Sequence, residues 1–116
     1  MFHEPDPIPA DAERKTILMV EDEAILALSE EQRLRLEGYN VLCAQSGEEA
    51  IEIAAAHPAG IDLILMDINL GSGIDGTVAA QQILAFRNLP ILFLSAHTDK
   101  ETVEKTEKIT SYGYVV

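Results

Sequence analysis

The chain has 116 residues, 47 % hydrophobic and 24 % charged, the make-up of one ordinary globular domain that buries on the order of two-thirds of its unfolded surface. Eight basic residues against twenty acidic ones give a net charge of −12, which argues against nucleic-acid or anionic-membrane binding through a basic surface. Cys43 is the only cysteine, so no internal disulfide can form. No signal-peptide pattern and no apolar run near the roughly 20 residues of a membrane span occur, so the expected location is the cytoplasm, without membrane contact.

Residues 1–15 carry Pro5, Pro7 and Pro9 among acidic and small residues and read as an arm or linker. A short apolar, β-rich run predicts a first strand over Thr16 to Glu21. A helix follows from about Glu23 to Glu37, with apolar positions Ile25, Leu26, Leu28, Leu34 and Leu36, and Gly38 as its C-terminal stop. A second strand is predicted over Asn40 to Gln45. Ser46 then caps a helix with Glu49 three residues on, and Ala50, Ile51, Ile53, Ala54 and Ala55 form its apolar side. That helix stops before Pro58 and Gly60. The third strand spans Asp62 to Met66. Residues 69–76, Asn-Leu-Gly-Ser-Gly-Ile-Asp-Gly, are a loop of turn formers. A helix near Thr77 to Arg87, a strand from Pro90 to Ser95, a charged helix at about Lys100 to Lys108 and a strand from Tyr112 to Val116 complete the order.

Strands alternating with helical patterns argue for a parallel sheet covered on both faces, with right-handed crossovers. Two strands end in acids: Ile17-Leu18-Met19-Val20 runs into Glu21-Asp22-Glu23, and Leu63-Ile64-Leu65-Met66 into Asp67. In one parallel sheet their C-terminal ends share an edge, where open α/β sheets bind ligands. Crowded carboxylates repel unless protonated or neutralised, and an all-oxygen site suits Mg²⁺ or a similar hard divalent ion. The bland readings are first-turn acids that suit a helix dipole for Glu21, Asp22 and Glu23, and a turn or cap residue for Asp67. Cys43, in a predicted strand, reads as a small buried hydrophobe.

Five spaced signals resemble the receiver (response-regulator phosphoacceptor) domain of two-component signalling, from about Thr16 to Val116. They are I-L-M-V-E-D-E, L-I-L-M-D-I-N, I-D-G after the loop, I-L-F-L-S-A and S-Y-G-Y-V-V. Each alone is weak; five in order and at suitable spacing are specific. The resemblance implies a flavodoxin-like, doubly wound five-stranded parallel sheet of order 2-1-3-4-5. It implies that Asp67 accepts a phosphoryl group from a phosphohistidine of a histidine kinase or phosphotransfer protein. Glu21, Asp22, Asp67 and the backbone carbonyl of Asn69 would bind Mg²⁺. Ser95 would contact the phosphoryl oxygens, and Tyr114 would be the aromatic that changes rotamer as Ser95 moves.

The sequence departs from the family pattern in three places. Glu stands at position 21 where Asp is commoner. The loop Leu70-Gly71-Ser72-Gly73-Ile74 lacks the usual proline and is one residue longer. The chain stops at Val116, before the family's lysine and final helix. The expectation is therefore a fragment, residues 16–116, of a larger regulator or hybrid sensor kinase, with slower or less stable phosphorylation and an apolar face that favours a homodimer. The function expected is a phosphorylation-dependent switch, not a metabolic enzyme, with at most slow self-directed phosphoryl chemistry. Two other classes stay open. One is a receiver-like docking module that works without phosphorylation. The other is an aspartate-dependent phosphohydrolase, against which Asn69 stands where a second aspartate is needed. A flavin module fits poorly, because the first strand-to-helix turn is acidic where a phosphate cradle needs open backbone donors.

Overall fold

A computed structural model describes residues 14–57, 60–68, 70–71 and 73–94, and the backbone of 113–115. Five strands, β1 (Thr16–Val20), β2 (Asn40–Ala44), β3 (Leu63–Asp67), β4 (Ile91–Leu94) and β5 (Gly113–Val115), form one sheet of order β2-β1-β3-β4-β5. Every pairing is parallel. Three helices are described: α1 (Ala24–Leu36), α2 (Gly47–Ala56) and α3 (Gly76–Leu84). This is the flavodoxin-like order, and the order in which strands are added reverses between β1 and β3, which opens a crevice at their C-terminal ends. The expected helix near residues 100–108 and the arm before Arg14 lie outside the described residues.

The alternation of strand side chains divides the core. Leu18 and Val20 of β1, Ile64 and Met66 of β3, and Ile91 and Phe93 of β4 form one buried cluster with Ala50 and Ala54 of α2 and Ala79, Ala80 and Ile83 of α3. The small helix residues allow close approach to the sheet. On the other face Ile17 and Met19 are buried, whereas Leu63, Leu65, Leu92 and Leu94 are only half-buried. α1 packs there against β1 and β2. None of its residues is buried. Its half-buried positions are Ala27, Glu30, Glu31 and Leu34, which recur at helical spacing and mark its inner side. Of the apolar positions expected in this helix, Ile25, Leu28 and Leu36 face outward, at 85 %, 56 % and 84 % exposure.

Local chemistry explains the element ends. Gly38, at φ 98°, lets its own N–H reach the Arg35 carbonyl and the Tyr39 N–H reach that of Leu34, a Schellman stop. The Ser46 hydroxyl accepts from Glu49 N at 3.0 Å, and Glu49 Oε2 accepts from Gln45 N at 3.3 Å, so the cap expected from sequence forms. α3 ends at Leu84 rather than near Arg87. The Arg87 guanidinium instead donates to the carbonyls of Ala54 (3.2 Å) and His57 (2.7 Å), satisfying groups at the end of α2. Cys43 is half-buried rather than buried, because β2 is an edge strand.

Candidate functional site

Register brings the acidic ends together. Val20 pairs with Met66, so the next residues, Glu21 and Asp67, stand level at the crevice. The Glu21 N–H donates to the Ala44 carbonyl at 3.0 Å, which extends the sheet hydrogen bonding one residue past β1. β3 runs through Asp67, one residue farther than its apolar run suggests, because Asp67 still pairs with Leu94 of β4. The nucleophile candidate is thus held by strand pairing.

One carboxylate oxygen from each of Glu21, Asp22 and Asp67 lies within 4.8 Å of the other two. Glu21 is 7 % exposed, Asp67 half-buried and Asp22 exposed. Burial, then a hydrogen bond with Asp67, then repulsion from Asp67, Glu30 and Asp22 push the Glu21 carboxyl from 4.5 up to about 8. Its Oε2 is buried with no hydrogen-bond partner. A buried acceptor without a donor, beside two further carboxylates, fits a hard divalent cation: charge and lone pairs are in excess, and all donors are oxygen. Glu30, on the inner side of α1, is also raised, by burial and then by the charge of Asp67.

The loop after β3 closes around this cluster. Ile68 and Leu70 are buried in the core, 4 % and 3 % exposed. Gly71 has φ +38°, and a Cβ there would stand 2.5 Å from Asp22 Oδ2, so glycine suits both the backbone conformation and the place beside that carboxylate. A Cβ on Gly76 would overlap the Asp67 carbonyl oxygen. The Gly76 N–H donates to the Ile68 carbonyl at 3.0 Å. Asp75 caps α3, accepting from Val78 N at 3.0 Å and from the Thr77 hydroxyl at 2.5 Å. The Ile-Asp-Gly string therefore has a part for its last two residues: Asp75 caps the helix, and Gly76 lets it start against β3.

Of the residues singled out in the sequence, Glu21, Asp22 and Asp67 come together. Glu23 is the N-cap of α1, without a side-chain cap bond, in keeping with a helix-start role. Asn69 and Ser95 lie outside the described residues, as does the side chain of Tyr114, whose backbone pairs with Phe93. Sequence reasoning missed Glu30 and Glu48. The signal for Glu30 was its spacing from Ala27 and Leu34, an inner stripe that the outward leucines obscured. Glu48 accepts a hydrogen bond from Ile74 N at 2.7 Å, a contact between segments that no local pattern announces.

The family described as "Response regulator receiver domain" matches residues 17–116. The transcriptional regulatory protein PdtaR of Mycobacterium tuberculosis is 34 % identical over 103 residues, covering 88 % of this chain and 49 % of that protein. The chain thus spans about half the length of this curated relative. The solved N-terminal domain of a response regulator/sensory box/GGDEF 3-domain protein from Carboxydothermus hydrogenoformans is 44 % identical, with TM-score 0.77, over 87 % of this chain and 80 % of that one. The CheX-CheY-BeF3-Mg²⁺ complex from Borrelia burgdorferi is 25 % identical, with TM-score 0.80, over 88 % and 77 %. With its strand order, its acidic crevice and this match, the chain belongs to the response regulator receiver domain family.

Proposed function

We propose that this domain is a phosphorylation-dependent switch that takes a phosphoryl group onto Asp67 from a phosphohistidine of a histidine kinase or phosphotransfer protein. The observation that carries the reading is the set of three carboxylates within 4.8 Å, one of them buried with an unpartnered oxygen. Glu21, Asp22 and Asp67, with the backbone carbonyl of Asn69, are the residues that would hold a Mg²⁺ ion. When bound, the ion supplies positive charge that screens Asp67 from the negative charge of the incoming phosphoryl group.

A carboxylate oxygen of Asp67 attacks phosphorus in line with the phosphorus–nitrogen bond of the donor. The oxygen–phosphorus bond forms as the phosphorus–nitrogen bond breaks, and the electron pair stays on the imidazole nitrogen. Strand pairing on β4 limits the motion of Asp67 and so keeps its oxygen oriented. Ser95, which follows Leu94 directly, contacts the phosphoryl oxygens, and the Tyr114 side chain moves as Ser95 is drawn inward. Phosphorylation adds negative charge and acceptor oxygens, and it need only favour one of two existing arrangements around β4 and β5.

The test is incubation with Mg²⁺ and a small-molecule phosphodonor, followed by intact mass. The wild-type protein should gain one phosphoryl group and Asp67→Asn none. An equal gain by the variant would move the acceptor elsewhere. No gain by the wild type would support docking without phosphorylation.

A further inference from the structure

We propose that Glu48 is a positioning residue for the acidic site: together with Gly47 it clasps Ile74, in the turn formed by Gly73, Ile74 and Asp75, and thereby influences how Gly71 lies beside Asp22. This rests on the reading of Glu21, Asp22 and Asp67 as the holders of a divalent cation.

The clasp has two points. Glu48 Oε1 accepts from Ile74 N at 2.7 Å, across 26 positions of sequence. The hydrogen bond is charge-assisted, the stronger kind. The Ile74 side chain meanwhile lies on Gly47, where an added Cβ would be 2.7 Å from Ile74 Cγ1 and 3.1 Å from Ala79 Cβ. Gly47 is thus bare because Ile74 and α3 occupy the space. Between the two points sits Gly73, in the left-handed region at φ +78°, where a Cβ would meet Glu48 Oε2 at 2.6 Å and Oε1 at 2.7 Å. Both oxygens of Glu48 thus lie beside the space a Cβ would take, at a backbone conformation that favours glycine. The bond to Ile74 also lowers the Glu48 carboxyl below its ordinary range, which keeps it an acceptor at neutral pH.

The loop needs such a hold. Gly71 and Gly73 both have positive φ, and glycines surrender the most conformational freedom when ordered. The near end is pinned by buried Leu70, and the far end by Asp75 at the start of α3. Between them Gly71 lies beside Asp22, where an added Cβ would stand 2.5 Å from Asp22 Oδ2. Asp22 itself is exposed, so the position of Gly71 limits where its carboxylate can sit. Releasing Ile74 loosens Gly71, and Asp22 then has more freedom to surrender each time a cation binds. Groups that orient a ligand without touching the metal commonly change metal affinity.

Mn²⁺ serves as the probe, its free fraction read by electron paramagnetic resonance in the full chain. Exchange of the Ile74 amide proton, measured by NMR without metal, gives a second readout. Glu48→Ala should weaken Mn²⁺ binding by about fivefold, a typical coupling between linked sites, and should speed exchange at Ile74. Glu48→Gln keeps an acceptor oxygen and should restore both to near wild-type values. A Glu48→Ala protein that binds Mn²⁺ as tightly as wild type would overturn the clasp while leaving the cation site standing. Glu48→Gln with Ile74 exchange as slow as wild type but Mn²⁺ binding as weak as Glu48→Ala would also overturn it, because charge rather than the hydrogen bond would then matter. A wild-type protein that takes up no Mn²⁺ would remove the cation reading and this proposal together.

Discussion

The two faces of the sheet are built differently although they share strands. Under α2 and α3, six strand side chains from Leu18 to Phe93 meet alanines and Ile83 in one continuous buried cluster. Under α1, the buried strand residues are Ile17, Met19 and Val41, and the helix turns Glu30 and Glu31 inward while Ile25, Leu28 and Leu36 face out. The acidic crevice lies at the border. Asp67 ends a strand whose alternate residues, Ile64 and Met66, are locked into the first face, while Glu30 belongs to the looser one. The strand that carries the phosphoacceptor candidate is therefore anchored in the dense side, while Glu30 is carried by the side with fewer buried contacts.

The sharpest way to break this contrast is large-to-small substitution on each face. Phe93 is fully buried, so Phe93→Ala should cost about 3–5 kcal/mol through lost transfer energy and the cavity left behind. Leu92, next to it but half-buried on the other face, should cost roughly half as much or less when replaced by Ala. Denaturant unfolding of both variants checks the pair. Equal losses would mean that the two faces are equally packed.

Acidity separates the faces next. Glu21 titrates near 4.5 when unfolded and at about 8 when folded. The raised pKa means that the folded state holds a proton which the unfolded state releases. Its contribution is fully present below about pH 4.5 and is lost as pH rises through about 8. Without divalent cations, thermal stability should accordingly fall over that window, by a few kcal/mol at most once screening by water and salt is allowed for. Millimolar Mg²⁺ should flatten the decline, because a bound cation replaces the proton. Glu21→Gln should remove most of it. A profile that is flat without metal would contradict the burial of an unpartnered Glu21 oxygen.

The dense face was the more legible one. Strand positions followed from short β-branched and leucine runs, and the Ser46 cap from Ser followed by Glu three residues on. The joint placement of Glu21, Asp22 and Asp67 followed from the parallel order alone, since strands running the same way end at the same edge. α1 was harder to read. Its leucines suggested an inward stripe, yet its inner positions are Ala27, Glu30, Glu31 and Leu34, and a mixed pattern of this kind gives periodicity no single direction. The Glu48–Ile74 contact had no local signal, because the pairing depends on how α2 and α3 pack. Only the bare Gly47 and Gly73 hinted that something presses close to the chain there.

That packing sets a third, smaller test. A Cβ at Gly47 would press on Ile74 and Ala79, so Gly47→Ala should cost about 1–3 kcal/mol through overpacking between α2 and α3. Helix propensity alone predicts a gain of up to about 1 kcal/mol for the same change. The sign of the shift in denaturant midpoint therefore decides whether the loop truly rests on this glycine.

The smallest expected effects lie on the outside of α1. Ile25 and Leu36 are 85 % and 84 % exposed, so Ile25→Gln and Leu36→Gln should each change stability by no more than about 0.5 kcal/mol. Comparable apolar side chains thus span nearly the whole range of consequence, depending only on which side of the sheet they meet. A loss of 2 kcal/mol or more at either position, concentration-dependent in the wild type and absent in the variant, would mean that a second copy covers this stripe in solution. Unfolding at two protein concentrations, tenfold apart, distinguishes that outcome from a helix whose outward leucines contribute nothing to folding.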